Sequence, residues 1–129
     1  MFTIEQIKVA NAKMKSGADF PKYILEIKEI GVVALEMWVK DRRTVFFSLN
    51  NFQTKSKTAH ETLALATVTD KDKFVHYLKK HQKGKTDFFT FCQHCAATGI
   101  EKWNVDFYTM TCTYFDKDKK EILVEIVPS

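Results

Sequence analysis

The residues best suited to chemistry in this chain are Cys92, Gln93, His94 and Cys95, which set two thiols three positions apart around an imidazole. A C-x-x-C pair works as a redox couple when its sulfur sits at a helix N-terminus, where free amides and the dipole stabilise the thiolate. Thiols also hold zinc, and Cys92, Cys95, Cys112 and His81 are four ligands of suitable type. Neither pattern is complete. The helix that carries the pair starts at Thr86 or Asp87, so Cys92 falls in its second turn, and no strand leads into the motif. A zinc site would want a second ligand pair at finger-like spacing, and the chain has a single C-x-x-C. His94 follows Cys92 by two residues, which at about 100° per residue turns it to the far side of the helix. The third reading is that all three thiols are small buried hydrophobes.

Other chemistry is sparser. With four Gly and two Pro, neither a dinucleotide fingerprint nor a P-loop can be written, and the sequence implies no cofactor. His60, His76, His81 and His94 are scattered, with no Ser, His and carboxylate at a recognisable spacing. Glu36 and Asp106 fall on the outward faces of two strands. Converging carboxylates make an acid and base pair, whereas a solvated strand face accounts for them with no further assumption. Trp38 and Phe46 are expected to point away from the core as well, and aromatics on the polar side of a hairpin need a cover. Glu36, Trp38, Phe46 and Asp106 are therefore a candidate interface or ligand face, open to the rest of the domain, to a second copy in a homodimer, or to a small molecule.

The elements that must position these groups come in a doubled order. Thr3 and Gln6 make a capping-box pattern ahead of Ile7, Ala10 and Met14. Asp19 can cap a second helix, with Pro21 in its first turn and a stripe of Tyr23, Ile24, Ile27 and Ile30 that stops at Gly31. Val33, Leu35, Met37 and Val39 then alternate with polar or outward neighbours, and after a turn at Asp41–Arg43 the residues Val45, Phe47 and Leu49 extend the core face. Asn50–Ala59 reads as the longest loop and Thr62–Thr67 as a third strand. The order then repeats. Asp70 caps a helix with Phe74, Val75, Leu78 and His81, Thr86 or Asp87 caps the next, and three alternating runs follow Gly99. Asp19, Tyr23, Ile24, Ile27 and Gly31 align without a gap on Asp87, Phe91, Cys92, Cys95 and Gly99, and Leu35, Met37 and Val39 on Trp103, Val105 and Phe107. One residue less in the second turn sets Val45 and Phe47 on Cys112 and Tyr114.

Charge and composition narrow the partners. Twenty basic against sixteen acidic residues leave a formal charge of +4, carried almost wholly by Lys, with Arg42 and Arg43 the only guanidinium groups. Base and phosphate readers lean on Arg, so nucleic acid is disfavoured as a partner. No apolar run approaches the ~20 residues that span a bilayer. An odd number of cysteines and an N-terminus without a signal-peptide pattern point to the cytoplasm.

Lys15-Ser16-Gly17-Ala18-Asp19-Phe20-Pro21, Gly84-Lys85-Thr86-Asp87-Phe88, Phe91-Cys92-Gln93-His94-Cys95-Ala96, Gly99-Ile100-Glu101-Lys102-Trp103 and Met110-Thr111-Cys112-Thr113-Tyr114 have a further use. Together they resemble the YbcV-like family of small bacterial proteins of unknown function, whose members often carry the label phage envelope protein. The resemblance runs over nearly the whole chain and implies no activity, substrate or catalytic residue.

The sequence thus predicts an α+β domain of 129 residues in two similar α-α-β-β-β halves, 1–69 and 70–129, with helices packed on an antiparallel sheet. It favours a non-enzymatic binding or interaction module over a thiol- or metal-dependent enzyme built on Cys92 and Cys95.

Overall fold

The computed structural model describes residues 2–14, 17–49, 53–55 and 62–127, with the backbone alone at Gly17 and 53–55. His60 lies outside them.

Four helices and six strands form in the described residues: α1 (Ile4–Ala12), α2 (Phe20–Glu29), β1 (Ala34–Trp38), β2 (Thr44–Phe47), β3 (Gln53–Lys55), α3 (Lys71–Gln82), α4 (Phe88–Ala97), β4 (Ile100–Asp106), β5 (Thr111–Asp116) and β6 (Glu121–Ile126). The helix starts follow local chemistry. The Thr3 hydroxyl accepts from the Gln6 amide at 3.2 Å while the Gln6 side chain accepts from the Thr3 amide at 2.8 Å, closing the capping box. Asp70 and Asp87 accept from Lys73 and Thr90 in the same way. Asp19 does not make its expected cap bond: a 3-10 turn, Gly17–Asp19, runs directly into α2 and leaves Asp19 in a helical conformation. Caps are worth ~1 kcal/mol each. Burial decides more, because every fully buried Ile, Leu or Phe contributes ~1.5–3 kcal/mol and α2 alone buries Tyr23, Ile24 and Ile27.

The strands make one antiparallel sheet in the order β3-β2-β1-β4-β5-β6. Its centre joins the two repeats. Across β1 and β4, Leu35 pairs with Val105, Glu36 with Asn104 and Met37 with Trp103. Under the alignment that sets Asp19 on Asp87, Glu36 is the counterpart of Asn104, Leu35 of Trp103 and Met37 of Val105. The ladder is therefore symmetric about the Glu36–Asn104 pair, and a pseudo-twofold axis passes through it. Beyond both strand ends the symmetry continues: the Val39 amide donates to the Glu101 carbonyl at 2.9 Å, and its counterpart Phe107 donates to Val33 at 3.0 Å.

Three expectations are corrected. The strand expected at Thr62–Thr67 is absent. That stretch has no ladder of its own; Leu63 donates to the Lys40 carbonyl and Ala66 to Ala96, and Leu63 and Leu65 pack on the core. The first half's third strand is instead β3, inside the stretch read as a loop. The second turn needs no deletion. Leu35 pairs with Phe46 as Trp103 pairs with Tyr114, so Phe46 and Tyr114 are counterparts, and the two turns hold matched left-handed residues, Arg42 (φ 56°) and Met110 (φ 52°). A one-residue slip exchanges the faces of a strand. Hence Phe46 faces the helices and is 3% exposed, where an outward position was expected. Val45 and Phe47 take the opposite face, and Leu49 is exposed.

One cluster of buried side chains holds the helices to one face of the sheet, drawing on α1 to α4 and on Leu35, Met37, Phe46, Trp103, Val105, Cys112 and Tyr114. Matched glycines turn the chain out of α2 and α4, Gly31 at φ 108° and Gly99 at φ 84°. Their surroundings differ. A Cβ on Gly31 meets nothing within 4 Å, whereas one on Gly99 lies 3.0 Å from the Thr69 Cα and 3.2 Å from the Val68 carbonyl oxygen. Gly31→Ala should therefore cost only the left-handed strain, ~1–2 kcal/mol, and Gly99→Ala ~1–3 kcal/mol more for the backbone it must displace. Urea midpoints of the two variants check the order, and equal losses would contradict it.

Candidate functional site

Between the helices and the sheet lies a cavity of about 360 Å³. Counterpart residues from the two halves wall it: Phe20 and Phe88, Tyr23 and Phe91, Leu35 and Trp103, Phe46 and Tyr114. The space thus straddles the pseudo-twofold axis on the helical side of the sheet. On the second half the rings form a continuous wall, with Trp103 centred 5.5 Å from Phe91, 5.9 Å from Tyr114 and 6.4 Å from Phe88. The first half has Leu35 where the second has Trp103, and the missing indole leaves room.

The polar lining breaks the symmetry. Lys8, Asn11, Arg42, Thr44, His81 and Gln82 border the cavity, and no Asp or Glu does so among the described residues. Arg42 sits in the β1–β2 turn with its guanidinium 5.0 Å from the centre of the Phe89 ring, against α4. His81 stacks on Phe91 with centroids 4.2 Å apart and planes at 5°. Its Nδ1 lies 3.1 Å from the Thr86 carbonyl oxygen. The Thr86 hydroxyl lies 3.0 Å from the same nitrogen and can either donate to it or accept from it, so Thr86 anchors the ring in either tautomer. Burial lowers the His81 pKa below its ordinary value, outweighing the Thr86 bond and the Asp87 charge that raise it, which favours the neutral ring.

The cysteines lie elsewhere in the packing. Cys92, Cys95 and Cys112 are buried free thiols. Burial pushes Cys92 and Cys112 up to about 12 and Cys95 well above the ordinary value, which suppresses the thiolate that redox or nucleophilic chemistry would use. His94 stacks on Tyr77 at 3.8 Å and His81 on Phe91. No three His, Cys, Asp or Glu side chains come together as a metal would need, among the described residues.

On the opposite face of the sheet, Glu36 is tied down at both oxygens. Trp38 Nε1 donates to one at 2.8 Å and Lys102 Nζ to the other at 3.3 Å. Lys102 in turn lies 4.9 Å from the Trp38 ring and 5.2 Å from the Phe115 ring. Asp106 accepts from the Tyr108 amide at 2.9 Å and shapes the β4–β5 turn. Glu36 and Asp106 border one hollow with Asn104 and Thr113, but each already has a structural partner. Phe46 is absent from this face and lines the cavity instead.

A family model described as "Protein of unknown function (DUF1398)" matches residues 8–126, a span that takes in both halves of the sheet and most of the cavity wall. The chain belongs to that family. No curated protein matches it. In this DUF1398 chain the cavity is not legible in the sequence, because its walls read as ordinary helix and strand stripes. One signal was available: Phe20 and Tyr23 recur as Phe88 and Phe91, aromatic in both copies where Ile or Leu would fill a core.

The buried thiols have a definite pH signature. An unfolded chain ionises its thiols near their ordinary value of 9.0, while folded Cys92 and Cys112 hold their protons to about 12. Their contribution to stability is thus fully present below pH 9.0 and is lost as pH rises toward 12. A disulfide thiol reagent at pH 8 should modify the native protein at least ~100-fold more slowly than the urea-unfolded chain, since only opened molecules react. Comparable rates in the two states would show an accessible, activated cysteine.

Proposed function

We propose that this protein is a binding module rather than an enzyme, a YbcV-like member of its family that holds a small, largely aromatic molecule in the cavity between its halves in the bacterial cytoplasm. The same reading makes the chain one domain written twice, 1–69 and 70–129, with the ligand on the axis that relates the copies. The observation that supports it is the cavity itself, about 360 Å³ with seven aromatic residues in its wall. Small-molecule sites run from ~300 to 1,000 Å³ and are lined by apolar and aromatic groups with a few polar ones. Space on this scale persists because it is wetted or filled, and the polar rim admits both. No helix is long and apolar enough to cross a membrane among the described residues.

A neutral aromatic probe tests the reading. N-phenyl-1-naphthylamine should bind one per chain with bright fluorescence, and Leu35→Trp, which copies the indole of the counterpart Trp103 into the free space, should weaken it at least ~10-fold. No binding by a folded wild-type chain, or binding unchanged by a folded Leu35→Trp, would overturn it. The homodimer belongs to the same proposal as the cover for Trp38 and Phe115 on the open sheet face. Sedimentation of the full chain reads it directly, and a monomer at high micromolar concentration would remove the dimer while leaving the cavity in place.

A further inference from the structure

We propose that two copies of this chain join edge to edge through β6, antiparallel about a twofold axis at Val124, so that their sheets run on as one. The contact rests on neither the cavity nor the face cover for Trp38 and Phe115, since it lengthens the sheet instead of stacking on it. The order β3-β2-β1-β4-β5-β6 leaves β6 with one neighbouring strand among the described residues. An edge strand presents a row of unpaired amides and carbonyls, a template for another chain unless something blunts it.

The direction of those groups follows from the ladder. The Val127 amide donates to the Met110 carbonyl at 2.7 Å, directly opposite it in the β5–β6 register. Opposed residues in an antiparallel ladder alternate between pairs that exchange hydrogen bonds and pairs whose backbone groups point away. Val127, Glu125 and Leu123 therefore bond to β5, and Val124 and Ile126 turn their amides and carbonyls to the open edge. Their side chains add apolar surface there. Val124 and Ile126 pair with Thr113 and Thr111 on the face away from the helices, and are 51% and 78% exposed. Little guards this edge: β6 has no Lys or Pro, its register irregularity lies at the Glu121 end, and Glu125 is held on the helical side by the Gln82 amide at 2.9 Å.

The sequence of the strand selects a second copy as its occupant. Opposed residues share a face and faces alternate along a strand, so a twofold axis normal to the sheet sits on a residue, not between two. Centred on Leu123, it would oppose Glu121 with Glu125; centred on Glu125, it would oppose that carboxylate with its own copy. Centred on Val124, it sets Val124 on Val124, Ile126 on Ile122 and Leu123 on Glu125, with no like charges opposed. Val124 then exchanges two backbone hydrogen bonds with its copy. β1 and β4 already pair as counterpart strands about such an axis inside one chain. The rival arrangement, β6 on the β3 edge of another copy, is head to tail and gives growing assemblies instead of a closed pair.

Sedimentation of the full chain reads the contact. Val124→Lys, which opposes two ammonium groups across the axis, and Val124→Pro, which removes an outward amide, should each halve the mass of the wild-type assembly at high micromolar concentration. Proline is tolerated at an edge where the amide carries no ladder bond, so circular dichroism should stay unchanged. Val124→Cys gives a reading that spares the strand even if those variants misfold. In such a pair the two Cα atoms lie ~5.5 Å apart, so a short bismaleimide should link the copies at least ~10-fold faster than it links Leu49→Cys, exposed elsewhere. Cys92, Cys95 and Cys112 are buried and do not compete. A monomeric wild type, an unchanged mass in the folded Val124 variants, a mass that rises with concentration without a plateau, or equal linking at the two introduced cysteines would overturn the assignment.

Discussion

The pairing of β1 with β4 is the constraint on which the rest of the molecule depends. It is the single ladder that joins the halves, since β2 and β3 attach only outward from β1, and β5 and β6 only outward from β4. Because Glu36 faces its own counterpart Asn104, the ladder admits a symmetric register and nothing else in the sheet has to adjust. A shift of one residue would send either Leu35 and Met37 or Trp103 and Val105 to the open face and strip the helices of half the surface they pack on along this ladder. The two buried side chains of the strand that slips, at ~1.5–3 kcal/mol each, hold that register, and the half-buried Glu36–Lys102 contact lies on the other side of the same ladder.

Symmetry at the ladder also dictates where the cavity must fall. Antiparallel pairing sets Met37 beside Trp103 and Leu35 beside Val105, so the larger neighbours meet on one side of the axis and the smaller on the other. Had the second half kept Leu and Met, both sides would hold equal volume. The indole instead gathers Phe88, Phe91 and Tyr114 into a wall, while Phe20 and Tyr23 across the axis, centred 6.3 Å apart, share theirs with Phe46 and the smaller Leu35. The opening is thus a consequence of unequal substitution in an equal frame, which is also why its charged residues come from one half and its stacked imidazole from the other.

Much of this frame was legible in the chain because the helices declare themselves by caps, stripes and glycine stops, and those signals recur at matched positions. The α+β class, the order of elements and the counterpart relation of Ile24 and Ile27 to Cys92 and Cys95 all rest on such local chemistry. The misplaced parts share a different cause. β3 is three polar residues long and has no alternation to read; it exists because β2 offers an edge. Thr62–Thr67 alternates but finds no neighbouring strand, and its leucines reach the core from an irregular path. Phe46 reads as outward because Val45, Phe47 and Leu49 alternate around it as a core face, and nothing local shows that the turn at Arg42 sets the opposite register. The cavity was hidden for the same reason: its walls come from eight elements and the β1–β2 turn, and only the sheet register brings them together.

That register also changes what the C-x-x-C motif means. Between the halves, Ile24 and Ile27 on one helix become Cys92 and Cys95, and on the strand beneath, Leu35 becomes Trp103. Two side chains shrink on the helix while one grows on the sheet, all within the same helix-on-strand layer. A close-packed core tolerates such exchanges only when volume is conserved, since an uncompensated enlargement costs ~1–3 kcal/mol and an unfilled deletion as much or more. The thiols fit such an exchange as small, buried, uncharged groups at positions where the first half carries isoleucine. Sulfur chemistry is not needed to account for the pair. The cavity belongs to the neighbouring exchange on the strand, where Leu35 stands in place of an indole, and no cysteine lines it, so the most conspicuous motif in the sequence and the site it failed to reveal are separate parts of the same layer.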